Sequence, residues 1–134
     1  MLDIKFIKEN PDLVREAARR KRVDFDLDHL LAADAQRLKV LAEVEALRAK
    51  QNSASKEVTS IKEASHRAAL LSELKRLKED LLRHEEDLKK AMTRWQELML
   101  QVPNIPDISV PEGNSDADNV ELRTWGALPN FAFT

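Results

Sequence analysis

The chain has 134 residues, of which 34% are charged and 4% aromatic, with two glycines, no cysteine and a net charge of −2. So few aromatic residues and glycines argue against an ordinary globular core connected by many loops. The near-neutral charge excludes a globally basic nucleic-acid binder but allows a local basic patch. The lack of cysteine excludes disulfides and thiolate metal sites. With no signal peptide and no apolar run of membrane length, we expect a soluble cytoplasmic protein without a membrane partner.

Residues 1–30 are predicted to form a small helical base. Residues 10–12 (Asn-Pro-Asp) are typical of a helix start, because they supply a capping oxygen, a preset backbone angle and an acid near the positive helix end. The apolar side of this helix consists of Leu13, Val14, Ala17 and Ala18. Asp26 or Asp28 is predicted to cap the next helix. The residues of that helix expected to pack back on the first are Leu27, Leu30 and Leu31.

Two stripes of mostly apolar residues follow, each with the alternating four- and three-residue spacing of a heptad repeat. The second stripe is the more regular and consists of Leu70, Leu74, Leu77, Leu81, His84, Leu88, Ala91, Trp95, Leu98 and Val102. The first consists of Val40, Val44, Leu47, Gln51, Ala54, Val58, Ile61 and Ser65. Because only residues 65–69 separate the stripes, residues 31–102 are predicted to fold into an antiparallel two-helix coiled coil.

The register of this hairpin is predicted by pairing the stripes about their connection. That pairing sets Ile61 opposite Leu74 and the two polar exceptions, Gln51 and His84, opposite each other. His84 is therefore interpreted as a polar residue that fixes the register rather than as a ligand. The turn is expected between Ile61 and Leu70.

Pro103 is predicted to end the second helix, because proline cannot continue the hydrogen-bond ladder. Residues 103–119 are rich in proline, asparagine and aspartate, which is typical of a linker. Residues 120–125 alternate in the manner of a short strand. Residues 120–134 are interpreted as the truncated start of a further domain, because Leu128 and the phenylalanines after it have nothing left in the chain to cover them. The predicted fold class is all-α, with a helical base, a coiled-coil hairpin, an irregular linker and a short strand-like tail.

The sequence contains no recognisable catalytic constellation. His29, His66 and His84 lie far apart along an elongated chain, which argues against a shared metal. Two glycines cannot make a phosphate-binding loop, and a two-helix rod has no enclosed pocket. The chain alone is therefore expected to be inactive and to hold neither a cofactor nor a metal.

Several short segments resemble one known family. They are the opening residues 1–5 (Met-Leu-Asp-Ile-Lys) with 10–11, parts of residues 45–58, and a linker with Val-Pro-Asn-Ile-Pro at 102–106 and further matches over 110–126. The linker is the most specific segment, because heptads are shared by many coiled coils. Together they resemble the N-terminal part of bacterial-type seryl-tRNA synthetases, over all 134 residues. The chain departs from the family at Gln51, where arginine is frequent, and at Asp107, where histidine is frequent.

The resemblance implies a tRNA-binding arm that grips the long variable arm and elbow of tRNA(Ser) through shape and phosphate contacts. It also implies a parent enzyme, a class II serine–tRNA ligase, that uses ATP and Mg²⁺ and works as a homodimer. In the family the arm of one subunit presents tRNA to the active site of the other. The catalytic domain would follow Phe133, so no catalytic residue can be assigned in this chain.

Candidate tRNA contacts are polar or basic side chains that point away from the seam, toward the middle or tip of the arm. They are Arg48, Asn52, Ser55, Lys56, Lys62, Arg67, Lys75, Arg76, Lys78 and Arg83. For any one of these residues, solvation of a charged helix face is the more common role. The set as a whole favours contact with RNA.

Two other functions fit parts of the sequence. The near-neutral charge and the many acidic residues fit a coiled coil that binds proteins and no RNA. A stand-alone relative of the synthetase that lacks the catalytic domain is the third possibility. The linker segment favours the tRNA-binding function over the protein-binding one, and an RNA-binding assay would separate them.

Overall fold

The computed structural model describes residues 2–127. Within this range the chain forms four α-helices and one short 3₁₀ helix, and no strand is present. The α-helices are α1 (Ile4–Glu9), α2 (Pro11–Lys21), α3 (Leu27–Ser60) and α4 (Ala64–Gln101). The chain divides into two compact units, the first ending at Asn104 and the second beginning at Ile105. The prediction of an all-α fold with a long antiparallel helix pair is confirmed.

The base is held together by a cluster of buried side chains to which every α-helix contributes. Its members are Ile7, Val14, Leu27, Leu30 and Met99. Leu27 and Leu30 therefore pack on the N-terminal helices, as predicted. Leu13 was expected on the apolar side of α2, but its side chain is 43% exposed.

The helix starts show one prediction confirmed and one corrected. Asp26 caps α3, since its Oδ1 accepts a hydrogen bond from the His29 amide at 2.9 Å. Asn10 occupies the N-cap of α2, but its side chain makes no capping hydrogen bond. Instead, Asn10 Nδ2 donates to the Phe6 carbonyl at 3.0 Å and closes the end of α1. Because Asn10 alone separates α1 from α2, it is the C-cap of α1 and the N-cap of α2.

The seam between α3 and α4 follows the two heptad stripes. Every stripe position from Val40 to Ile61 and from Leu70 to Val102 is buried or half-buried, whereas Ser65 is exposed. The turn occupies residues 61–63, inside the predicted interval. At 1.5 Å per residue, α4 alone is about 57 Å long, so the pair forms a long arm.

The register of the pair differs from the predicted one. His84 Nε2 lies 3.9 Å from Glu43 Oε2, whereas the predicted pairing places Gln51 opposite His84. The reason is the position of the turn. Residues 65–69, predicted to connect the helices, belong to α4, and the turn at residues 61–63 lies earlier in the chain, so each residue of α4 lies opposite an earlier part of α3.

In the second unit, residues 105–127 are mostly irregular. Pro103 follows the end of α4, as predicted, and a 3₁₀ helix at Asp116–Asp118 is the regular element of the described part. The strand predicted at residues 120–125 is not formed, because a strand needs a neighbour for its hydrogen bonds and the described range offers none. Leu128 and the phenylalanines of the predicted tail lie outside the described residues.

Candidate nucleic-acid interface

All ten predicted contact residues are exposed. Arg48, Asn52, Ser55 and Lys56 lie on α3, Lys62 lies in the turn, and Arg67, Lys75, Arg76, Lys78 and Arg83 lie on α4. Because α3 and α4 share one seam, the arm has two broad faces, one on each side of it. Contacts across the seam show which residues share a face.

One face is marked by an ion pair between the two helices. Arg48 Nη2 and Nε lie 2.6 and 3.1 Å from the same oxygen of Glu85, Oε1. Residues three, four or seven positions apart on a helix share a side, so Asn52 and Ser55 lie on the side of Arg48. By the same spacing, Lys75 and Lys78 lie on the side of Glu85.

Lys89 belongs to this face as well and was not among the predicted residues. It lines one shallow depression together with Arg48, Glu85 and Met92. The signal that could have found it is the row that runs from Lys75 through Leu82 to Lys89 in steps of seven. We call this surface the basic face and define it by Arg48, Asn52, Ser55, Lys75, Lys78 and Lys89.

The basic face also exposes aliphatic side chains between its cations. Leu71, Leu82 and Met92 are 50%, 54% and 40% exposed, and their spacing from Glu85 places them in the same rows of α4. Such a surface offers apolar contact beside each positive charge.

The opposite face carries acids and bases in near balance. It is marked by the Glu43–His84 contact, and its α4 rows contain two ion pairs of the i,i+3 type. Arg83 Nη2 lies 3.7 Å from Asp80 Oδ1, and Lys90 Nζ lies 3.4 Å from Asp87 Oδ1. Arg76 and Arg83 lie on this face by their spacing from Asp80, so the structure separates them from the basic face.

The remaining predicted residues lie elsewhere on the arm. Lys56 projects from the outer side of α3, one position beyond Ser55. Lys62 is in the turn, and Arg67 lies in the first turn of α4. These three exposed cations make the tip of the arm positive, with Glu57 and Glu63 as the neighbouring acids.

Comparison with protein families identifies the chain. The family model described as the seryl-tRNA synthetase N-terminal domain matches residues 1–106, which is most of its length. The chain belongs to this family.

Relatives of this seryl-tRNA synthetase N-terminal domain extend the match over the linker. The serine–tRNA ligase of Deinococcus radiodurans is 45% identical over 134 residues, which is all of this chain and 31% of that protein. The serine–tRNA ligase of Caldanaerobacter subterraneus is 41% identical, over 99% of this chain and 32% of its own length. The chain thus spans about a third of the length of the relatives it matches.

A solved structure shows the same fold. The seryl-tRNA synthetase of Pyrococcus horikoshii, whose structure was determined in complex with ATP, superimposes with a TM-score of 0.73 at 28% identity. The match covers 94% of this chain and 29% of that one.

The described residues of this seryl-tRNA synthetase domain offer no gathered set of ligands for Mg²⁺. Within residues 2–127, no group of three or more histidine or acidic side chains is gathered in a way that could hold a metal ion. The depression at Arg48 and Lys89 is an open surface groove. Within the same range, no helix has the length and apolar character needed to cross a membrane.

Proposed function

We propose that this domain is the tRNA-binding arm of a serine–tRNA ligase and that its basic face contacts the phosphates of the long variable arm and elbow of tRNA(Ser). The observation that carries this proposal is the unequal distribution of charge on the two faces. The basic face presents Lys75, Lys78 and Lys89 beside neutral hydrogen-bond donors and one ion pair, Arg48–Glu85. The α4 rows of the other face mix cations and acids in near balance, as in the pairs Arg83–Asp80 and Lys90–Asp87.

The shape of the arm suits recognition of folded RNA at a distance from any active site. Double-stranded RNA hides its base edges in a deep, narrow groove, so proteins recognise its shape, phosphates and 2′-hydroxyls. From Lys75 to Lys89 the basic face extends about 21 Å along α4, at 1.5 Å per residue, which is long enough to meet several phosphates. Asn52 and Ser55 add neutral groups for phosphate or 2′-hydroxyl oxygens.

The activity of the whole protein is part of the same proposal. The parent would catalyse ATP-dependent serylation of tRNA(Ser) as a homodimer, with the arm of one subunit presenting tRNA to the active site of the other. Family membership and the serine–tRNA ligases matched over about a third of their length support this assignment. ATP and Mg²⁺ would act in the part of the parent that these 134 residues do not include.

Fluorescence anisotropy with end-labelled tRNA tests the proposal on this chain. We expect binding of a tRNA with a long variable arm with a Kd on the order of 10⁻⁴ to 10⁻⁶ M and strong salt dependence, because released counterions supply most of the affinity. Replacing Arg48, Lys75, Lys78 and Lys89 together by alanine should abolish binding, while circular dichroism should show unchanged helicity. A fourfold variant that binds as tightly as the unmodified chain would contradict the assignment of this face.

A protein-binding role is the second candidate, and the exposed Leu71, Leu82 and Met92 are the observation that favours it. Aliphatic side chains at heptad spacing are also what a further helix would pack against. Sedimentation analysis separates the two roles. A chain that self-associates through this face and ignores tRNA would support the protein-binding role.

A further inference from the structure

The arginine of the basic face, Arg48, already forms an ion pair within the arm. Arg48 directs two of its donors, Nε and Nη2, at Oε1 of Glu85 across the seam. The Arg48 side chain is 59% exposed and the Glu85 side chain 34% exposed, so the pair lies at the surface, where RNA would dock. Carboxylate and phosphate oxygens use the same donors of a guanidinium group, so one excludes the other at these positions.

We propose that Glu85 competes with an RNA phosphate for Arg48, so that docking exchanges the Arg48–Glu85 pair for an Arg48–phosphate pair. This proposal rests on the proposed function, since it concerns the same face and the same ligand. It assigns to Glu85 a role opposite to that of its basic neighbours, because Glu85 lowers the affinity of the arm for RNA.

The exchange is physically favourable because exposed ion pairs are weak. A pair between solvated side chains gives a small net gain, since both groups are well hydrated when apart. A phosphate that also meets Lys89, in the same depression, gains from two cations at once. Glu85 remains in that depression after the exchange, where its negative charge repels the incoming phosphate.

An alternative role for Glu85 would have the opposite sign. By holding Arg48 across the seam, Glu85 could place the guanidinium group where a phosphate needs it, as a positioning residue does. Removing the charge of Glu85 would then weaken RNA binding. The two roles are separated by the direction of one measurement.

The test compares Glu85→Gln with Asp80→Asn, a matched variant that removes one negative charge from an ion pair on the opposite face of α4. At fixed salt, we expect Glu85→Gln to tighten binding of long-variable-arm tRNA about two- to fivefold, the size expected for an exposed ion pair. Asp80→Asn should change the Kd less than twofold. If Glu85→Gln is no tighter than Asp80→Asn, or weaker than the unmodified chain, the proposal is wrong.

A double-mutant cycle shows whether the effect passes through Arg48. In an Arg48→Ala background, Glu85→Gln should tighten binding no more than Asp80→Asn does, because Glu85 then has no Arg48 guanidinium group to withhold from the phosphate. If Glu85→Gln tightens tRNA binding as much in the Arg48→Ala background as in the unmodified chain, Glu85 does not compete for Arg48 and the proposal is wrong. If the unmodified chain does not bind tRNA at all, the proposed function itself is wrong, so the two failures are distinguishable.

Discussion

The guanidinium group of Arg37 lies over the indole ring of Trp95, with its central carbon 4.6 Å from the ring centroid. Arg37 Nη2 also pairs with Oδ1 of Asp34 at 2.6 Å, and Lys8 pairs with the other carboxylate oxygen. Lys8 lies on α1, Asp34 and Arg37 on α3, and Trp95 on α4. This chain of contacts ties both helices of the arm to the base, beside a carboxylate that is fully buried.

We predict that Asp34 gives the fold a specific sensitivity to acid. Burial alone raises the pKa of Asp34, but the hydrogen bonds and charges of Lys8 and Arg37 outweigh it, so the pKa lies below its ordinary value. A depressed pKa in the folded state means that the stabilisation is fully present above the pKa of the unfolded chain, about 3.9. The stabilisation is lost as the pH falls through the folded pKa. Asp34→Asn should therefore destabilise the fold at pH 7 by about 1–3 kcal/mol and flatten this acid dependence.

Urea unfolding followed by circular dichroism at pH 7 and at pH 3 measures both effects. Asp80→Asn is the control, because it removes a half-buried acid from a surface ion pair and should change the free energy of unfolding by less than about 0.5 kcal/mol. If Asp34→Asn and Asp80→Asn lower the free energy of unfolding equally, the buried ion pairs of Asp34 stabilise the fold no more than a surface pair does.

The register of the arm is a second prediction. Glu43 lies beside His84, so its seam neighbour Val44 should be closer to residue 84 than Gln51 is, by about 10 Å along the helix. In this cysteine-free chain, Val44→Cys with His84→Cys should form an intramolecular disulfide at least tenfold faster than Gln51→Cys with His84→Cys. Non-reducing electrophoresis of the oxidised variants gives the rates. If the disulfide between positions 51 and 84 forms faster, the register predicted from the stripes is the correct one.

Much of the arm could be predicted from the sequence because a repeat of 3.5 residues determines which side chains face a partner helix. The stripes from Val40 to Ile61 and from Leu70 to Val102 needed no knowledge of the structure. The cap at Asp26 was also predictable, since a capping carboxylate is a local feature of the chain. Such features depend on nearest neighbours or on one strict period.

Features that depend on two distant segments could not be predicted in the same way. Residues 64–69 contain little that marks a seam, so the sequence did not show that α4 begins at Ala64 and that the register shifts accordingly. The Arg48–Glu85 pair depends on that register and on side-chain conformation across the seam. The separation of Arg76 and Arg83 from Lys75 and Lys78 is different, because the heptad spacing of α4 alone places them on opposite sides of the seam, and the sequence could have shown it.

A third prediction concerns the turn before the 3₁₀ helix of the second unit. A Cβ atom added at Gly113 would lie 2.5 Å from Cβ of Asp118, too close for the present packing. The Asp118 carboxylate accepts hydrogen bonds from the Asn114 and Ser115 amides, and these lower its pKa. Gly113→Ala should break this arrangement and return the pKa of Asp118 toward its ordinary value. An NMR titration of the Asp118 carboxyl measures this, and Ser109→Ala should leave the pKa unchanged.

The last prediction compares the two faces of the arm with equal changes in charge. Lys75→Ala with Lys78→Ala removes two cations from the basic face, and Arg76→Ala with Arg83→Ala removes two from the opposite face of the same helix. Each phosphate contact that is lost should reduce the slope of log K against log salt by about 1, so the lysine pair should lower it by about 2. The arginine pair should lower it much less, because Arg83 is already paired with Asp80 and the proposed function places the phosphates on the other face. Anisotropy titrations of long-variable-arm tRNA at several salt concentrations give both slopes, and equal slopes for the two variants would mean that RNA binding does not distinguish the faces.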